Sequence, residues 1–146
     1  MEIKLGGEFV VSKKPEEVYA FLVDPKRFCP LLPDYESVAV QDDKSFLVKL
    51  RVGISHIRGT ASVKLSLAEA VQPKRALYEG QGEVPGGNAT LRAGFDLEPA
   101  GAGTKVLWNG QARVLGRIAS LAGGMLEPLA KKNLQKLIDA LQAALQ

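Results

Sequence analysis

One histidine, one cysteine and one tryptophan are all that 146 residues carry of those types, and each scarcity closes a class of chemistry. His56 is the only histidine, which excludes a His-based metal cluster. It falls in the outward phase beside Arg58, where it reads as a surface residue and not as the base of a Ser-His-Asp triad. Cys29 alone excludes an internal disulfide framework and suits a reducing compartment. It lies in the apolar run Phe28-Cys29-Pro30-Leu31-Leu32-Pro33 and reads as a buried, inert thiol with no base beside it. The formal charge is only +3, from 19 basic and 16 acidic side chains spread along the chain, which argues against nucleic acid as a partner. No run approaches the roughly 18 apolar residues of a membrane span. The start, Met1 to Gly7, lacks a basic stretch followed by an apolar one, so no signal peptide is expected. These absences lead to the expectation of a cytoplasmic protein whose membrane contact, if any, is peripheral.

Phosphate and dinucleotide fingerprints are missing as well. Gly101-Ala102-Gly103 joins two strands and opens no helix. Asp42-Asp43 is a solvated turn pair, and nothing in the sequence desolvates Asp34 or Glu36. No catalytic residue, metal ligand or cofactor is therefore assigned.

What the chain does have is regular patterning. Hydrophobic residues make up 46% and charged residues 24%, an ordinary globular balance, and without repeats or linkers a single domain over residues 1–146 is expected. Glu2 to Val11 reads as a strand. Pro15 followed by Glu16 and Glu17 opens a short helix, and Asp24-Pro25 caps and opens a second, reaching Phe28. Alternation then marks strands from Tyr35 to Gln41 and around Val48, Val63, Tyr78, Leu91 and Val106, with tight turns between them. From about Gly116 the apolar period lengthens from two to about 3.6. Ile118, Leu121, Ala122, Met125 and Leu129 form one stripe, continued by Leu134, Leu137, Ile138, Leu141 and Leu145. The fold class is α+β: a curved antiparallel sheet of about seven strands closed by a long C-terminal helix. Gly123-Gly124 with Pro128 predicts a kink or break in that helix.

Small residues fall at inward strand positions: Gly59, Ala61, Gly80, Gly82, Ala89, Ala93, Gly110 and Ala112. Interiors are close-packed, so such residues mark either sheet bends or an unfilled cavity. The cavity reading places Phe21, Phe28, Leu50, Phe95, Trp108, Leu121, Met125 and Leu129 around a hydrophobic small molecule.

Several strings resemble the CoxG family of carbon monoxide dehydrogenase accessory proteins, within the START and polyketide-cyclase-like superfamily. They are Gly7-Glu8-Phe9-Val10-Val11, Pro15 to Leu22, Asp24-Pro25, Val52-Gly53-Ile54 with Arg58-Gly59, Gly80-Gln81-Gly82, and Val114-Leu115-Gly116-Arg117-Ile118-Ala119. The family usually has Pro-Gly where this chain has Pro33-Asp34. The resemblance implies a helix-grip fold and an accessory that binds a lipophile, a quinone or lipid-like molecule, in service of a molybdenum-containing dehydrogenase. A cyclase or hydrolase of the same superfamily and a protein-docking module for a dehydrogenase stand as alternatives.

Overall fold

Seven strands form one antiparallel sheet in the order β1-β7-β6-β5-β4-β3-β2 in the computed structural model, which describes residues 1–54 and 56–146. The chain runs β1 (Glu2–Val11), α1 (Pro15–Leu22), α2 (Pro25–Phe28), a 3-10 turn (Cys29–Leu31), β2 (Tyr35–Val40), β3 (Ser45–Ile54), β4 (Ile57–Val71), β5 (Arg75–Val84), β6 (Gly87–Ala100), β7 (Gly103–Gly116) and α3 (Arg117–Ala144). Strands β2 to β7 follow one another as a meander, and β1 adds to the sheet beside β7.

Local chemistry explains the boundaries. Pro15 opens α1 with Glu16 and Glu17 in its first turn, which favours the positive end of the helix dipole. The Asp24 carboxylate caps α2, accepting from the Lys26 N–H at 3.1 Å. At the β2–β3 turn, Asp42 accepts from the N–H groups of Lys44 and Ser45 at 2.8 and 2.7 Å. The period of two then decides which face is wet: Phe46 and Val48 are buried while Lys49 and Arg51 are exposed, and Val63 is buried while Lys64 is not.

Helix α3 lies across the sheet and is fastened at both ends by backbone hydrogen bonds. The Ile118 N–H donates to the Gly86 carbonyl at 3.0 Å, and the Leu145 carbonyl accepts from both Ser12 and Lys13 at 3.0 Å. Gln142 Nε2 adds a bond to the Val10 carbonyl at 3.1 Å. Thr104, fully buried, donates to the Lys13 carbonyl at 2.7 Å and holds the same corner. Between these ends α3 meets the sheet through side chains.

Two expectations about α3 are corrected. The helix has no break: it runs 28 residues with Pro128 inside it. Proline removes the bond to the carbonyl four residues back, here that of Gly124. Both Gly124 and Pro128 are exposed, so that carbonyl is left on the side open to water. The buried seam also differs from the expected stripe. It follows steps of four through Ile118, Ala122 and Leu126, continues through half-buried Ala130, Leu134 and Ile138, and ends on buried Leu141 and Leu145. Each step of four advances about 40° around an α-helix, so the seam slants and leaves Leu121 and Met125 outside it.

Asp34 has a φ of 60°, the left-handed region that costs a side-chain-bearing residue about 1–2 kcal/mol and glycine little. Its own carbonyl accepts from the Arg51 N–H at 2.9 Å, which fixes the entry of the chain into β2. Asp34→Gly is therefore expected to stabilise the protein by about 0.5–1 kcal/mol, the gain being reduced by glycine's larger unfolded-state entropy. Urea unfolding checks this: the midpoint rises with an unchanged slope, and a fall would refute it.

Candidate functional site

A cavity of about 360 Å³ lies between the C-terminal half of α3 and the β1-β7-β6 side of the sheet. The strand register shows how it arises. Cross-strand rows read Ile3–Ala112–Leu91, Leu5–Gly110–Ala93 and Gly7–Trp108–Phe95. The middle row has two small residues side by side, beneath Ala130, Leu134 and Leu137 of the helix. Ala93 belongs to the inward phase between Leu91 and Phe95 yet is exposed, because the space above it is unfilled.

The small inward residues divide into two groups. A Cβ on Gly80 would collide with the Lys64 carbonyl and Leu65, and one on Gly82 would lie 2.9 Å from Val63. Those two glycines permit close approach of β5 to β4 and do not line the cavity. Gly59, at a φ of 154°, packs against Pro85. A Cβ on Gly110, in contrast, would meet only the Arg92 carbonyl at 3.8 Å. Gly110, Ala93 and Ala112 are the positions where a small side chain leaves usable space.

One end of the cavity is closed by Leu22, Phe28 and Tyr78. Phe28, Phe46 and Tyr78 pack with ring centroids 5.8–5.9 Å apart, and the Tyr78 hydroxyl donates to the Leu22 carbonyl at 2.9 Å. Burial raises the Tyr78 pKa above the ordinary phenol value, so that hydroxyl stays protonated and committed. Trp108 contributes its indole, whose Nε1 is buried without a hydrogen-bond partner. Arg92, Asn109 and Gln111 border the space but are exposed and of the outward phase; the Arg92 guanidinium pairs with Glu79 at 3.2 Å. Among the described residues no group of three His, Cys, Asp or Glu side chains is placed to hold a metal.

The family model for CoxG, a subunit of carbon monoxide dehydrogenase, matches residues 7–146. The chain belongs to the CoxG family. No curated protein matches it in sequence. In fold, this CoxG-family chain is similar to a conserved protein from Geobacillus kaustophilus, at a TM-score of 0.87 and 20% identity over 98% of this chain and 95% of that one. It is also similar to a START superfamily protein from Mycobacterium smegmatis, at 0.74 and 15% over 97% and 96%. The Zhui aromatase/cyclase from Streptomyces sp. R1128 superposes at 0.73 and 15% over 99% and 93%. The architecture is the helix-grip fold of that superfamily.

Of the eight residues placed around a ligand by sequence, Phe28, Phe95 and Trp108 border the cavity. Phe21 is instead in the core with Val18 and Val106, and the Arg27 guanidinium lies 4.9 Å from its ring centre. Leu50 packs in the cluster around Cys29 and Phe46. Leu129 joins the cluster under the N-terminal half of α3. Leu121 and Met125 are 62% and 51% exposed, the consequence of the slanted seam. Leu5, Ala93, Gly110, Leu134 and Leu137 border the cavity and were absent from the sequence-based set. The steps of four from Ile118 were the signal that could have found the helical members.

Cys29 is fully buried, and burial pushes its thiol up to about 12 from an ordinary 9.0. Since the folded value is the higher one, the thiol's contribution to stability is complete below pH 9 and is lost as pH rises toward 12. The native protein at pH 8 is expected to react with a thiol reagent at least about 100-fold more slowly than the urea-unfolded chain. Comparable rates in the two states would overturn the assignment of Cys29 as an inert packing residue.

Proposed function

We propose that this CoxG-family protein is a non-catalytic carrier that holds a lipophilic molecule beneath α3 and serves a carbon monoxide dehydrogenase-type enzyme. The observation that carries the reading is the cavity of about 360 Å³, within the range that encloses small organic ligands. Its inward side chains are aliphatic and aromatic, and the Tyr78 hydroxyl is already bonded to Leu22. Catalysis needs a titratable pair converging on the reacting atoms, and the inward phase of β6, β7 and α3 offers none there. A quinone or a lipid-like molecule of similar bulk is the ligand class, and the family description supplies the molybdenum-containing enzyme as partner.

Contact with the membrane, in this reading, is peripheral and made by the exposed strip of α3. Leu121 and Met125 are one helical turn apart, and Arg117 and Lys132, both exposed, fall on the same strip. Apolar side chains flanked by basic ones suit the interface of an anionic bilayer.

The test is titration of delipidated protein with a short-chain naphthoquinone, followed by calorimetry. Gly110→Leu fills the space that Gly110 leaves open and is expected to weaken binding by about tenfold or more, at about 1.4 kcal/mol per decade, with the fold retained. Failure of the wild type to bind, or equal binding by the variant, would count against the carrier. Chemical conversion of the ligand would favour the cyclase or hydrolase reading. In flotation with vesicles, the wild type is expected to favour phosphatidylglycerol over phosphatidylcholine, and Leu121→Ser/Met125→Ser to lose several-fold of that binding. Equal partitioning of the two proteins would remove the membrane role.

A further inference from the structure

Among the described residues, Trp108 Nε1 is the buried side-chain polar atom that has no hydrogen-bond partner. Leaving a buried donor unpaired costs about 1–3 kcal/mol, and such groups call for an explanation. Its surroundings explain how the indole is held. In the sheet Trp108 is paired with Gly7 on one side and Phe95 on the other. A Cβ on Gly7 would come within 3.3 Å of Nε1 and Cζ2, so the glycine is what leaves room for the ring. No side chain of β1 or β6 offers the N–H an acceptor. The cavity that Trp108 borders is the remaining side.

We propose that Trp108 Nε1 is the specificity determinant of the cavity and donates to a neutral acceptor oxygen on the ligand, making the ligand class a carbonyl- or ether-bearing lipophile and not a plain hydrocarbon. The inference rests on the carrier reading above and narrows it. Polarity follows from the atoms present: an indole nitrogen only donates, and the other hydroxyl in the wall, that of Tyr78, is occupied by Leu22. A ligand must therefore bring an acceptor to satisfy the wall. Charge follows too. Arg92 is turned outward and paired with Glu79, so the wall holds no cation to offset a fatty carboxylate, whose burial would be costly. A neutral oxygen satisfies the donor without that penalty.

Two ligands of nearly equal shape separate the possibilities: 2-decanone and 2-methyl-1-decene, which exchange a carbonyl oxygen for a methylene. Calorimetric affinities for both are compared in the wild type and in Trp108→Phe, which keeps an aromatic wall. The variant is expected to bind the ketone about fivefold more weakly and the alkene within about twofold, the size of one neutral hydrogen bond. Because the chain has a single tryptophan, wild-type emission reads the same atom without a variant: it should shift to the red with the ketone and not with the alkene. Equal losses for both ligands in the variant, or identical emission changes, would overturn the role of Nε1 while leaving the carrier intact. Binding of neither ligand to the wild type would remove the carrier reading and this inference together.

Discussion

The structure depends on how α3 is fastened. Backbone bonds tie its first turn to Gly86 and its last carbonyl to Ser12 and Lys13. A helix held this way cannot settle toward the sheet wherever side chains beneath it happen to be small. It spans the gap, and whatever the facing rows fail to fill stays open. Without those ties the hydrophobic effect would favour collapse of Leu134 and Leu137 onto Gly110 and Ala93, since an empty apolar space forfeits contacts on every wall.

Two kinds of glycine divide the work within the sheet. Gly80 and Gly82 let β5 press close to β4, with a neighbour where a Cβ would go. Gly110 has no such neighbour, and its smallness serves the cavity. The same residue type thus tightens one half of the sheet and opens the other. At the closed end, Tyr78 bonded to Leu22 locks α1 to β5, so the aromatic cluster is a fixed wall.

Most of the architecture was legible in the sequence because it rests on periods and caps. Alternation located the strands, Pro15 and Asp24-Pro25 opened the short helices, and the change of period placed the start of α3 within a residue. The cavity wall was less legible, for geometric reasons. The apolar stripe on the first half of α3 is wider than the surface that covers it. Periodicity alone could not say whether Leu121 and Met125 or Leu126 would face the sheet. That choice is made by the slope of the helix across the strands, which is a property of the assembled fold. Gly80 and Gly110 likewise look identical along the chain, and only the position of Lys64 and Leu65 beside one of them distinguishes close approach from space. Gly124 and Pro128 disfavour a helix locally, but packing of Ala122 and Leu126 outweighs that preference.

Fixed at two points, α3 also works as a gauge of length and phase. Its 28 residues span about 42 Å at about 1.5 Å per residue, matched to the separation of the Gly86 and Ser12 ties. One residue more or fewer in its middle would rotate everything beyond by about 100°, carrying Leu134, Leu137 and Leu141 away from the strands. Side chains along α3 are thus free to vary in identity, while the number of residues between the ties is not. Insertions and deletions in relatives that keep the cavity should accordingly fall in the turns between strands and spare this one span.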